Sequence, residues 1–274
     1  MARILTPEDV IVVSESSRHS DDPYDIIQSN IDFLNALFNE QVSPDEVSAE
    51  AIKSYYVDYY LAQVNNGGFQ QFVGNSGFSP ELQRIVRAGL KAIGAKRNLE
   101  LFEEGAALVA ADAPLGDPLP SDFEDKAAGR DTLNKVNLRF FKLQKTESLV
   151  QLNARWLKHH PKLQPLSDAR IKEEIARRIN SLTDRAARKE QAREQEPRYT
   201  KLIRALCAKA GHKLDRITAG DPLGSYQGER VLAWHFLTDK GHFYMVETAE
   251  KAVMIDAESM KEIASVDVPQ EAGL

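Results

Sequence analysis

Residues 55–78, YYVDYYLAQVNNGGFQQFVGNSGF, gather six side-chain amides, a set of glycines and a run of aromatic rings into one short stretch. Amides donate and accept hydrogen bonds without titrating, so such a cluster recognises or scaffolds and does not move protons. Asp58 is its one carboxylate and it holds neither Cys nor His, which leaves metal ligation and general acid–base catalysis without the groups they need. A phosphate cradle is excluded by spacing, because GGFQQFVGNSG has neither the Lys-Ser/Thr of a P-loop nor a GxGxxG pattern. Two readings stand. In one, Asn65 or Asn66 ends a helix, Gly67 and Gly68 turn a helix–turn–helix corner, Phe69, Phe72 and Phe78 are core, and Gln70, Gln71 and Asn75 hold loop backbone. In the other, Gln63, Asn66, Gln70 and Gln71 face outward and bind a ligand or partner.

Elsewhere the titratable residues do not assemble into a catalytic or metal motif. His235 and His242 flank a predicted hairpin loop, but two histidines without a third ligand are read as a satisfied or exposed pair and not as zinc ligands. His159-His160-Pro161 reads as a helix C-terminus, where a protonated imidazole meets the negative end of the dipole. Tyr55, Tyr56, Tyr59 and Tyr60 recur at helical spacing beside only one cation, Lys53, so they are packing residues and not a platform for nucleic-acid bases. The cations between Arg170 and Arg204 interleave with Glu173, Glu174, Asp184, Glu190, Glu194 and Glu196, as on a solvated helix. The expectation is a protein that is not an enzyme and uses no cofactor or metal.

The carboxylates near the start of the chain are arranged differently. Residues 1–60 carry twelve Asp/Glu against three Lys/Arg, whereas the whole chain has a net charge of only -6. Asp21, Asp25 and Asp32 are expected on one side of a predicted helix that Asp22 caps, and Asp45, Glu46 and Glu50 line the start of the next. Carboxylates one helical turn apart are about 5–6 Å from each other, on the scale of nucleic-acid phosphates at about 3.4 Å of axis each. Such a face is the candidate for contact with a basic partner.

The elements that must hold these residues are mostly helices. Asp22-Pro23 caps a helix whose Ile26, Ile27, Ile31, Leu34, Leu37 and Phe38 recur at helical spacing. Ser43-Pro44-Asp45-Glu46 reads as a capping box opening a helix through Tyr60, Ser79-Pro80 opens another that Gly94 ends, and a fourth follows from about Asn98 to Ala111. Residues 112–125 hold three prolines and read as a surface loop, after which helix resumes until Pro161 and Pro165. A narrow stripe of Ile171, Ile175, Ile179 and Leu182 runs into a segment with no large apolar residue. After Pro197 come a short amphipathic helix, the runs RVLAWHFLT and HFYMVET joined by Asp239-Lys240-Gly241, and two further candidate strands, AVMI and IASVDV. The expected fold class is therefore a mainly α-helical N-terminal domain (1–165), a long connecting helix of mixed, basic charge (166–197) and a small α+β C-terminal module with a β-hairpin or meander (198–274).

The lone Cys207 cannot form an intrachain disulfide, MARILTPEDV is no secretory signal, and no run of eighteen apolar residues occurs, so a cytoplasmic protein without membrane contact is expected. The Tyr-rich helix, NNGGFQQFVGNSG, a helix ending Ile93-Gly94-Ala95 and a following acidic loop resemble the bacterial DNA-mimic family of the nineteen-kilodalton type over about residues 20–160. That resemblance implies a compact helical domain, able to form a homodimer, that presents carboxylates to a DNA-binding protein such as a helix-turn-helix repressor and competes with its operator. It transfers no individual contact residue. The leading expectation is a protein partner with a basic surface, a transcription regulator, bound by Asp21, Asp22, Asp25, Asp32, Asp45, Glu46 and Glu50; direct nucleic-acid binding is not expected. The alternative is an immunity or inhibitor protein whose same face neutralises a toxin such as a nuclease.

Overall fold

Helix starts in the first part of the chain are set by side chains that accept from otherwise unpaired N–H groups. The computed structural model describes residues 9–111 and 123–268, and the chain divides into two compact units, residues 1–185 and 186–274. In the first unit, strand β1 (Ile11–Ser14) leads into the short α1 (Glu15–His19), and α2 (Pro23–Phe38) begins where Asp22 accepts from the Tyr24 N–H. The capping box at Ser43 and Glu46 is present, but it closes a 3₁₀ turn, Pro44–Glu46, and the long helix α3 (Ala49–Ser76) starts after it. This corrects the expected helix start: Val47 leaves the turn with extended backbone and is buried, which separates the two elements.

Helices α4 (Pro80–Ala92), α5 (Lys96–Ala111), α6 (Phe123–Leu143) and α7 (Leu149–Lys158) follow, with Ser79 and Ser148 each accepting an N–H of the first turn. Most of the expected loop over 112–125 lies outside the described residues; 123–125 already belong to α6. Two interiors result. One is aromatic: Tyr60 makes edge-to-face contacts with Phe69, Phe72, Phe102 and Phe140, centroids 5.1–6.2 Å apart, and all five rings are fully buried. Each such pair is worth about 0.5–1.5 kcal/mol beyond its burial. The other interior is aliphatic and is closed by β2 (Leu163–Leu166), which pairs parallel with β1, Ile11 beside Leu163 and Ser14 beside Leu166. Neither strand was legible: β1 is four residues long and β2 contains Pro165, whose missing N–H suits only an edge.

The expected single connecting helix is two, α8 (Asp168–Asn180) and α9 (Arg185–Glu194). Ile171, Ile175, Ile179 and Leu182 pack against the aliphatic interior. Ser181 ends α8 by donating its hydroxyl to the Arg178 carbonyl at 2.7 Å, and Leu182 reaches the core from beyond the helix.

In the second unit α10 (Arg198–Ala210) ends at Gly211, in left-handed conformation, and covers one face of a five-stranded antiparallel meander. Its strands are β3 (Leu214–Tyr226), β4 (Glu229–Thr238), β5 (Gly241–Glu247), β6 (Lys251–Asp256) and β7 (Glu262–Asp267). Leu202, Ile203, Leu206 and Cys207 of α10 meet Phe236, Met245 and Met254. The opposite face buries Ala233, Tyr244, Val246, Val253 and Ile255. It is covered because the sheet curls: the Tyr226 hydroxyl at the end of β3 donates to Glu262 on the far strand at 2.6 Å. Burial on both faces is why β5 and β6 read as continuous apolar runs. The hairpin at Asp239-Lys240-Gly241 is where it was expected, whereas β3, interrupted by register shifts and rich in Gly and Pro, was missed.

Candidate functional site

The amide-rich stretch is the expected corner: Gly67 and Gly68 break α3 into two helical segments, and the second folds back so that Gln71 and Asn75 reach Gln63 on the first. Gly67 (φ -154°, ψ 25°) and Gly68 (φ 78°, ψ -179°) leave helical geometry for two residues, and the helix resumes at Phe69. The break frees the Phe69 N–H, which donates to Oδ1 of Asn137 on α6 at 2.8 Å; Nδ2 of Asn137 then donates to Oε1 of Gln70 at 2.9 Å. Around the break the other amides serve one another. Asn66 donates to Gln71 (3.1 Å), and Gln71 and Asn75 both donate to Oε1 of Gln63 (3.1 and 2.8 Å). Phe69 and Phe72 are fully buried and Phe78 packs on the same aromatic interior. Asn65, Asn66, Gly67, Gly68 and Gln70 line one side of a 460 Å³ groove, whose other wall carries the exposed Leu138 and Phe141. Asn137, the residue that accepts the freed N–H, was invisible in the sequence because nothing local marks a partner on another helix. Asn137→Ala is expected to cost about 1–3 kcal/mol by leaving that donor unpaired, read as a shift of the urea midpoint at unchanged slope.

The seven carboxylates of the expected acidic face are dispersed. Asp22 caps α2, its Oδ1 accepting from Tyr24 N–H at 2.8 Å, and Glu46 accepts from Ser43 N–H at 2.8 Å. Glu50 is paired with Lys53 at 2.7 Å and lies 3.7 Å from His160, whose ring is half-buried against Trp156 and pushed down in pKa chiefly by that burial. Asp45 borders an 860 Å³ groove with Tyr55, Tyr56, Tyr59 and Arg84. Asp21 is exposed before α2. Asp25 and Asp32 do come together: they line a 790 Å³ groove with Ser16, Ser20, Gln28 and Asp168. There Ser20 donates to Asp25 (2.6 Å) and Gln28 to Asp32 (2.7 Å). Asp168, the first residue of α8, was not among the expected site residues.

Asp58 is buried in α3, its carboxylate 3.4 Å from the Tyr24 hydroxyl that donates to it. Burial raises its pKa from 3.8 to about 6, and the hydrogen bond from Tyr24 offsets only part of that. Nearby, buried Asn30 and Asn153 donate to the carbonyls of Ala51 and Ser54 on the same helix, at 3.1 Å each. Among the described residues no group of three or more His, Cys, Asp or Glu is placed to hold a metal ion, and no helix is long and apolar enough to cross a membrane.

Charge divides sharply along the first unit: residues 1–44 hold eight Asp/Glu against two Lys/Arg, and residues 45–160 fifteen against fourteen. The carboxylate excess therefore precedes the tyrosine helix and its glycine break; Glu15 lies on α1, Asp25 and Asp32 on α2, and Asp21 and Asp22 just before α2. Comparison with curated proteins and with solved structures gives no match. Over residues 45–160, which carry the tyrosine helix, the glycine break and the amides around it, the protein matches the family described as DMP19-like protein, a family of DNA mimics.

Proposed function

We propose that the protein is a non-enzymatic interaction protein whose DMP19-like segment serves as scaffold, and whose acidic groove between α2 and α8 takes a basic surface of a DNA-binding protein such as a transcription regulator. The observation that carries this reading is that Asp25 and Asp32, from the segment 1–44 where carboxylates outnumber cations four to one, line one groove with Asp168, against the single lining cation Lys172. Asp25 and Asp32 are seven residues apart on one helix, about 10 Å along its axis, which spans about three phosphate steps of a nucleic-acid strand. Asp22, Glu46 and Glu50 contribute negative potential but are committed to caps and an ion pair.

The test is affinity isolation from native lysate at low and high salt, with wild type against the triple variant Asp21→Lys, Asp25→Lys, Asp32→Lys. Asp22 is left in place so that α2 keeps its cap. A basic DNA-binding protein is expected with wild type at low salt, weakened about tenfold or more by the triple variant, since contacts between exposed charges are screened beyond about 10 Å at 0.1 M salt. Equal recovery by both proteins at both salt concentrations would sink the reading. A nuclease recovered in the same salt-sensitive way would instead assign the inhibitor role, with the same face in use.

A further inference from the structure

The second unit carries a separate constellation that neither the acidic groove nor the DMP19-like segment uses. His235 on β4 is opposite Tyr244, and His242 on β5 is opposite Leu237, so the two histidines stand diagonally across the β4–β5 pair and project from one face. Nδ1 of His235 lies 3.1 Å from Nε2 of His242. The rings are 5.2 Å apart, and the Tyr244 ring is 5.4 Å from His235. His242 is exposed and His235 half-buried, so the gap between the nitrogens is open to solvent.

Two imidazole nitrogens facing each other at this distance have two ways to be stable. One donates a hydrogen to the other, or both lone pairs point at one cation. Nitrogens that each bind a metal at about 2.0–2.1 Å with an angle near 90–110° are separated by about 2.9–3.4 Å. The observed spacing falls in that interval without any movement of the strands. Nearby, Asp256 adds a fixed negative charge that interacts with His242. Its Oδ1 accepts from the Ser259 N–H, the Ser259 hydroxyl and the Glu258 N–H, and among the described residues no third His, Cys, Asp or Glu completes a metal-holding group, so Asp256 acts as a neighbouring charge.

We propose that His235 and His242 form a two-nitrogen chelate for a divalent transition-metal ion of the Cu²⁺, Ni²⁺ and Zn²⁺ group, with water completing the coordination. Two ligands on a rigid ladder make an exchangeable site whose preference follows the intrinsic order of these ions, copper first. The chemistry is binding alone, with no change of oxidation state.

The experiment titrates full-length, chelator-treated protein with CuCl₂, NiCl₂ and ZnCl₂ by calorimetry, using wild type, His235→Asn, His242→Asn and His159→Asn. The expected result is one ion per chain, Cu²⁺ tightest, with affinity lowered roughly tenfold or more in either of the first two variants and unchanged in the third. Electron paramagnetic resonance of the one-equivalent Cu²⁺ complex supplies a readout independent of the variants, and coupling to two nitrogens is expected. Absence of binding heat, equal affinity in all four proteins, or a single coupled nitrogen would each overturn the proposal.

Discussion

Gly68→Ala is expected to destabilise the first unit by about 3–5 kcal/mol, the sum of a backbone conformation that only glycine adopts readily and a displaced hydrogen-bond partner. With φ at 78° and ψ at -179°, a side chain at position 68 is strained whatever space surrounds it. The space is also taken: a Cβ there would lie 2.4 Å from Nδ2 of Asn137 and 2.6 Å from Oε1 of Gln70. Moving Asn137 strands the Phe69 N–H in the interior, while moving Gln70 removes Asn137's acceptor. Gly67→Ala provides the contrast, because its φ of -154° is not left-handed and the nearest atoms to its Cβ belong to the Gln71 side chain, which can swing away at the loss of its bonds to Asn66 and Gln63. A smaller cost of about 1–2 kcal/mol is expected there. Urea unfolding of both variants decides the matter, and equal losses would show that the corner is not held by Asn137.

Asp58→Asn is expected to have the opposite sign. A carboxyl whose pKa rises from 3.8 to about 6 on folding binds its proton more tightly in the native state. Its contribution to stability is therefore fully present below about pH 4, and is lost as pH rises through about 6. At pH 8 that loss amounts to about 3 kcal/mol, because each tenfold change in proton affinity is worth about 1.4 kcal/mol. An asparagine cannot ionise and can still accept the Tyr24 hydroxyl, so the variant is expected to be about 2–3 kcal/mol more stable than wild type at pH 8. The gain should vanish toward pH 4. Chemical unfolding of both proteins at pH 4.5, 6 and 8 measures it; parallel curves for the two proteins across that range would refute the assignment.

What the sequence showed depended on whether the determining interaction was local. Caps at Asp22 and Ser79 are read by N–H groups two or three residues away, and those helices begin where a capping side chain and an apolar stripe coincide. The hairpin at 239–241 is equally local. β1 and β2 depend on each other across the whole helical unit, and β3 takes its register from β4 despite glycines and a proline that argue against a strand. The site divides the same way. Glycines 67 and 68 announced the corner, but nothing local marked Asn137 on α6 as the partner that accepts the freed Phe69 N–H. Charge counting located the acidic region, and the cap motifs already committed Asp22 and Glu46, but neither could reveal that Asp168 joins Asp25 and Asp32.

The pairing of β1 with β2 also orders events during synthesis. The aromatic interior is built from residues between Val57 and Leu149, so its parts are all present before the ribosome reaches the second strand. The aliphatic interior needs Ile11, Val12 and Val13 from one end and Leu166 from the other. Its halves must wait for each other, although the entropy of closing so long a loop grows only logarithmically with length. A nascent chain in this interval carries one finished interior and one open apolar seam, the kind of surface that chaperones hold and that aggregation exploits. The same logic separates a unit of family similarity from a unit of folding: residues 45–160 cut out alone would leave Ala51, Ile52, Ala154 and Leu157 without the strands that cover them.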